Sequence, residues 1–197
     1  GFPVVDSLKI YVNGVLDDGW GAKFLVKGRE IEAAILFCDI SGFSARTYDL
    51  TPVESLIFTN TFFAWVTAEA MRGRPGIVDK YIGDEIMVLF STEFGSDDPF
   101  VDAVQTARFM AQRDFLDYRP HMGIGAGNVA IGYVGTPVKY NCSVFGRPVA
   151  EAARCAGVRS DGVLSSNIVL PAALWAGRDL DEVLPPTRVE MPNGKVQ

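Results

Sequence analysis

Asp39 and Asp84 each stand at an abrupt end of an apolar run. Asp39 closes Ala33-Ala34-Ile35-Leu36-Phe37-Cys38 and is followed by Ile40-Ser41-Gly42-Phe43-Ser44. Asp84 sits in Lys80-Tyr81-Ile82-Gly83-Asp84-Glu85, directly ahead of Ile86-Met87-Val88-Leu89-Phe90. Short apolar, β-branched runs bounded by glycine read as buried strands. Both carboxylates then lie at strand ends with low-dielectric protein behind them, where an unpaired charge is costly unless a cation binds. Carboxylate oxygens suit hard ions, and Mg²⁺ takes one or two carboxylates and completes its octahedron with water and substrate phosphates. Nucleotide chemistry is the reaction class this suggests. Two plainer alternatives stand beside it. Gly83-Asp84 between apolar segments is a type I′ hairpin signal that needs no metal, and Asp39 suits a helix N-cap, since Ser41 to Ser44 and Pro52 lead toward an amphipathic segment.

The bulk of the chain narrows the field. With 197 residues and 48% hydrophobic content it can build one sizeable core, so a single domain is expected. A net charge of −6 provides no long-range field for a nucleic-acid backbone, and a nucleotide has to be held by local charge and metal. No apolar stretch approaches the roughly 20 residues of a membrane span, and no basic region followed by an apolar signal core opens the sequence, so a cytoplasmic protein is expected. Cys38, Cys142 and Cys155 form no CxxC pair and read as buried free thiols rather than a zinc or disulfide framework. His121 is the only histidine. It opens an apolar run and reads as structural, which counts against a Ser-His-Asp hydrolase.

The elements that must position the two acids follow from periodicity. Residues 1–30 lack a sustained period and read as an N-terminal arm, with one catalytic domain over 31–197. A strand at 33–39 leads, through Thr51-Pro52, to a helix over Val53–Met71 whose core face is predicted as Leu56, Phe63, Val66 and Ala70. Arg72-Gly73-Arg74-Pro75-Gly76 ends it, and strands at 77–81 and 86–90 flank Gly83-Asp84. Asp97-Asp98-Pro99 caps a helix running to about Phe115. The glycine-rich stretch Met122 to Gly135 predicts a tight hairpin where a ligand or another backbone comes close. Gly146-Arg147-Pro148 then starts a helix carrying Val149, Ala152, Ala153 and Arg154, and short strands close the domain after 157. The order β-α-β-β-α-β-β-α is α+β rather than doubly wound.

Together these segments resemble the catalytic domain of class III nucleotidyl cyclases over about residues 31–158. The resemblance is carried by Phe37-Cys38-Asp39-Ile40-Ser41-Gly42-Phe43-Ser44, by Val78-Asp79-Lys80-Tyr81-Ile82-Gly83-Asp84, by Gly123-Ile124-Gly125 through Gly132-Tyr133-Val134-Gly135, and by Val149 to Arg154. Gly83-Asp84-Glu85 is also similar to the hairpin of diguanylate cyclases, a family that does not supply the later glycine-rich segment with its helix. The resemblance implies a ferredoxin-like βαββαβ core with an antiparallel-rich sheet, and a head-to-tail homodimer with two composite sites. It implies two Mg²⁺ or Mn²⁺ ions per site on Asp39, Asp84 and the Ile40 carbonyl, with the amides of Ser41, Gly42, Phe43 and Ser44 around the phosphates. Arg154 matches the arginine that stabilises charge on the α-phosphate. Arg188 and Lys195 are candidates for the pyrophosphate-side cation.

Lys80 and Ser143 occupy the two positions that read the base. Lysine there argues against GTP, and Ser143 matches adenylyl and guanylyl cyclases only loosely. The chain departs further at Ala150, where an asparagine normally precedes the arginine by four residues, and at Arg147-Pro148, where Asp-Thr is common. Losing such a donor costs a purine cyclase about 2–4 kcal/mol of transition-state stabilisation. Uracil offers two carbonyl acceptors and one N–H that a lysine and a hydroxyl can read, and Tyr48 either stacks on a smaller base or is a half-buried aromatic at a helix start. The whole set is similar to bacterial pyrimidine cyclases of antiphage defence, which make cyclic UMP or cyclic CMP for a separate effector. UTP is therefore expected ahead of CTP, with an adenylyl cyclase or a catalytically silent dimerisation module as alternatives.

Overall fold

The computed structural model describes residues 28–114, 116–136, 139–159 and 166–176. Six strands form one sheet: β1 (Gly28–Asp39), β2 (Gly76–Ile82), β3 (Glu85–Phe90), β4 (His121–Thr136), β5 (Lys139–Phe145) and β6 (Asn167–Val169). Their order is β2-β3-β1-β4-β5, antiparallel throughout, with β6 added parallel to the start of β4. The helices are α1 (Phe43–Thr47), α2 (Pro52–Met71), α3 (Pro99–Gln112), α4 (Arg147–Ala156) and α5 (Ala172–Trp175).

β1 is central and buried on both faces, which is why 33–38 reads as a continuous apolar run. Its even-numbered residues Ala34, Leu36 and Cys38 enter a core with Phe62, Trp65 and Val66 of α2 and Ala103, Ala107 and Met110 of α3. Its odd-numbered residues Ile31, Ala33, Ile35 and Phe37 enter a second core with Ala152 and Ala156 of α4. Helices thus cover both faces, and the end of β1 that carries Asp39 is held from two sides.

Several expectations need correction. β1 begins at Gly28, inside the segment expected to be an arm, because β4 is long enough to pair with it down to Gly28↔Gly132. Its polar start is tied by Arg29 to Glu93 at 3.2 Å and by Asn128 to Glu30 at 3.0 Å. The stretch 122–135 is one continuous strand rather than a tight hairpin; the chain reverses after Thr136. Its glycines serve the approach of another backbone. A Cβ on Gly123 would lie 2.0 Å from the Ala152 carbonyl oxygen, and one on Gly125 2.2 Å from that of Pro148, so α4 is seated directly on the strand. The β2–β3 turn has Gly83 at φ 63 with Asp84 outside the left-handed region, which excludes type I′. Asp39 is the last strand residue, and the residue preceding α1 is Gly42 at φ 64, so the N-cap alternative for Asp39 falls.

The α2 helix starts at Thr51-Pro52 as the sequence suggests, and a capping box of Thr51 and Glu54 closes its first turn. Its buried face is Phe62, Trp65, Val66 and Glu69, whereas Leu56 is exposed along with Val53 and Ile57. From Phe58 onward α2 packs against the core, whereas Val53, Leu56 and Ile57 of its first turns stay exposed.

Candidate active site

The acids converge because their strands are neighbours. β1 and β3 pair through Cys38↔Ile86, so Asp39 at the end of β1 faces Asp84 and Glu85 at the start of β3. The two segments are joined by the Ile40 amide, which donates to Asp84 Oδ2 at 3.3 Å. Asp39 is 16% exposed at its side chain; its Oδ2 accepts from Arg159 Nη2 at 3.0 Å, and its Oδ1 is 3.5 Å from His121 Nδ1. His121 is the strand partner of Asp39, so the histidine read as structural stands at the edge of the site.

Burial raises the Asp39 carboxyl from 3.8 to about 6, with Arg159 pulling the other way and Asp84 adding to the rise. Glu85 rises to about 7, again through burial and then through Asp39 and Asp84, and Asp84 is raised chiefly by burial. Burial outweighs the one guanidinium beside these carboxyls, and Asp39 Oδ1 is buried without a hydrogen-bond partner. The donor set therefore fits a divalent cation. Among the described residues no three His, Cys, Asp or Glu side chains converge as ligands, so the fit is to an ion that takes few carboxylates and keeps open positions for water and phosphate.

The segment after Asp39 is braced from below. The Ser41 amide donates to the Tyr118 carbonyl at 3.3 Å and the Phe43 amide to the Ile40 carbonyl at 3.3 Å. Arg46 donates to the carbonyls of Asp117 and Tyr118 at 2.8 and 3.1 Å and lies over the rings of Phe58 and Tyr118. Of the four amides expected around phosphates, those of Ser41 and Phe43 are thus engaged in holding the loop. Those of Gly42 and Ser44 have no such bond among the described residues.

Lys80 and Ser143 are brought together: Lys80 Nζ donates to Ser143 Oγ. They sit on β2 and β5, the two ends of the strand order, so this side-chain contact links the two edges of the sheet. The sequence did not single out Asp79, whose carboxylate is 1% exposed and lies 3.0 Å from Lys80 Nζ. A register shift between Val78 and Lys80 re-aims β2 here, letting consecutive residues act on one group. Tyr48, at the end of α1, is 85% exposed. Arg154 lies exposed in the last turn of α4 and pairs with no acid among the described residues, and Ala150 is exposed on the same helix. Arg188 and Lys195 lie outside the described residues.

No protein-family model matches the chain. It is 32% identical over 131 residues, 64% of its length, to the uncharacterized protein Rv1319c of Mycobacterium tuberculosis, of which it spans 24%. The chain thus covers about a quarter of the curated relatives it matches. Among solved structures it is similar to the adenylyl cyclase CyaB from P. aeruginosa, with TM-score 0.67 and 20% identity over 83% of this chain and 87% of that one. It is also similar to the dimeric guanylyl cyclase domain of the RhoGC fusion protein from Blastocladiella emersonii, with TM-score 0.68 and 16% identity over 85% and 94%. The antiparallel curled sheet with its flanking helices is the class III nucleotidyl cyclase fold.

Proposed function

We propose that the chain is a nucleotidyl cyclase, converting a nucleoside triphosphate to its 3′,5′-cyclic monophosphate and pyrophosphate at a site shared by two copies. The observation that carries this reading is the juxtaposition of Asp39 and Asp84 at adjacent strand ends, with a buried, unsatisfied Asp39 oxygen, in a sheet of cyclase topology.

Mg²⁺ or Mn²⁺, two per site on Asp39, Asp84 and the Ile40 carbonyl, would supply Lewis acidity toward the ribose 3′-hydroxyl and the triphosphate. The loop Ser41-Gly42-Phe43-Ser44 borders the phosphates, and its bonds to Tyr118 and Ile40 hold it ready. The 3′-hydroxyl gives up its proton to water and its oxygen attacks the α-phosphorus in line; as that bond forms, the bond from the α-phosphorus to the bridging oxygen of the β-phosphate breaks and pyrophosphate leaves. Arg154, from the second copy, donates to the oxygens on which charge develops, a task that suits a planar fork. Lys80 and Ser143 of the second copy read the base, and Asp79 fixes the Lys80 ammonium.

The favoured substrate is UTP, then CTP. Lys80 and Ser143 already stand in contact and together present donors to pyrimidine carbonyls, while Ala150 lacks the amide that purine cyclases use. In this reading Tyr48 packs on the smaller base, and the cyclic pyrimidine is a second messenger of antiviral defence read by a separate effector. Adenylyl cyclase is the alternative, favoured by Lys80; Ala150 favours a silent nucleotide-binding module. Incubation of the purified protein with each of four labelled triphosphates and Mn²⁺, with products separated by chromatography, discriminates among them. The proposal expects kcat/KM for UTP or CTP at least about tenfold above ATP. Cyclic AMP as the main product establishes the alternative, and no cyclic product with any nucleotide contradicts the cyclase.

A further inference from the structure

Arg159 lies three residues beyond α4 and is fixed at one point. Its Nη1 donates to the Ala156 carbonyl at 2.6 Å, one of the last carbonyls of the helix, where a cation is favoured by the helix dipole. Its Nη2 donates to Asp39 Oδ2 at 3.0 Å, and its charge also reaches Asp84 and Glu85. Among the described residues it is the side chain that forms an arginine–carboxylate bridge to this acid cluster. Its side chain is also 53% exposed.

These contacts conflict with a divalent ion. The Asp39 oxygen that Arg159 occupies is one of the two that carboxylate offers, and a second cation entering there is repelled by the guanidinium. An ion taken up on the unpartnered Oδ1 is repelled by the guanidinium on Oδ2, and turning the arginine away relieves that repulsion. Its bond to Ala156 keeps it close, and its open side faces solvent. Asp84 and Glu85 lie within its electrostatic reach but belong to the same acid cluster that the ion enters, so the partner left to it outside that cluster is an anion that arrives with the metal. A phosphate group meets that need, since the guanidinium fork matches two of its oxygens.

We infer that Arg159 exchanges partners: it is the internal counter-ion of Asp39 in the metal-free protein and a ligand of the substrate's terminal phosphates once metal is bound. The inference rests on the reading of Asp39 as a metal ligand, and it gives the chain a phosphate-side cation within its described residues.

Mn²⁺ alone and inorganic pyrophosphate in saturating Mn²⁺ are the probes, both titrated by calorimetry without turnover. In Arg159→Ala, Mn²⁺ alone is expected to bind several-fold more tightly than to wild type, because a competing cation is gone. Pyrophosphate is expected to bind about tenfold more weakly, the loss of one charged hydrogen bond. Arg159→Lys should recover part of the pyrophosphate affinity. Unchanged or weaker Mn²⁺ binding in Arg159→Ala overturns the counter-ion role, and unchanged pyrophosphate affinity overturns the phosphate role. If wild type binds no Mn²⁺, the metal-site reading fails and this inference with it. Normal Mn²⁺ binding that Asp39→Asn abolishes but Arg159→Ala leaves untouched sinks the Arg159 assignment alone.

Discussion

At the scale of single residues, the chemistry turns on carboxyls that the fold makes reluctant to ionise. Burial raises Asp39 from 3.8 to about 6 and Glu85 to about 7. The folded protein therefore holds protons that the unfolded chain releases near pH 4, and stability of the metal-free protein is expected to fall as pH rises from about 4 to about 7. Thermal melts across that range test this, and excess Mn²⁺ should flatten the decline near neutrality. Asp39→Asn should weaken the pH dependence too. The same substitution, and Asp84→Asn, should abolish cyclic product while leaving a folded protein. Turnover above about a tenth of wild type in either, a loss under 1.4 kcal/mol, would count against both acids as metal ligands. Both aspartates were legible because each interrupts an apolar run with a charge. Asp79 and Arg159 were not, since an acid beside a lysine and an arginine after a helix are ordinary surface patterns. Their contacts come from a strand irregularity and from a pairing 120 residues apart in sequence.

At the scale of elements, glycines set the position of α4 and hence of Arg154. Gly123 and Gly125 let the helix backbone rest on β4, and a methyl group at either would overlap a helix carbonyl. Gly125→Ala is expected to cost about 1–3 kcal/mol by overpacking, measured by chemical denaturation. It should also lower turnover more than ground-state nucleotide affinity, because the displaced helix carries Arg154, the group proposed to act on the transition state. The sequence signalled that a backbone comes close here but suggested a hairpin, since glycine density alone does not tell a turn from a packing surface. The face of α2 was misjudged for a related reason. Its first turns are as apolar as its last, so periodicity places Leu56 with Phe63 and Val66, while packing against the core begins only at Phe58. The strands were legible almost residue by residue wherever both faces are buried, and lost where β1 turns polar at Arg29 and Glu30.

At the scale of the whole molecule, the proposed site calls for a second copy of the chain. Arg154 has no acid partner among the described residues, and exposed Val53, Leu56 and Ile57 on α2 lie apart from either core. The β2–β3 hairpin adds exposed Tyr81 and Ile82, and Tyr81 stacks on Phe63 of α2 at 4.3 Å between ring centroids. Apolar side chains clustered this way on a surface mark an association site, and a second copy that brings Arg154, Lys80 and Ser143 to Asp39 and Asp84 would use one. A homodimer of this kind has two composite sites, each drawing its acids from one subunit and its arginine from the other. The most direct test combines two variants that are inactive alone, Asp39→Asn and Arg154→Ala, and measures 3′,5′-cyclic nucleotide after subunit exchange has been verified independently. The mixed dimer has one intact site and should regain up to about half the wild-type activity per dimer; no recovery would mean that the acids and the arginine do not act across an interface.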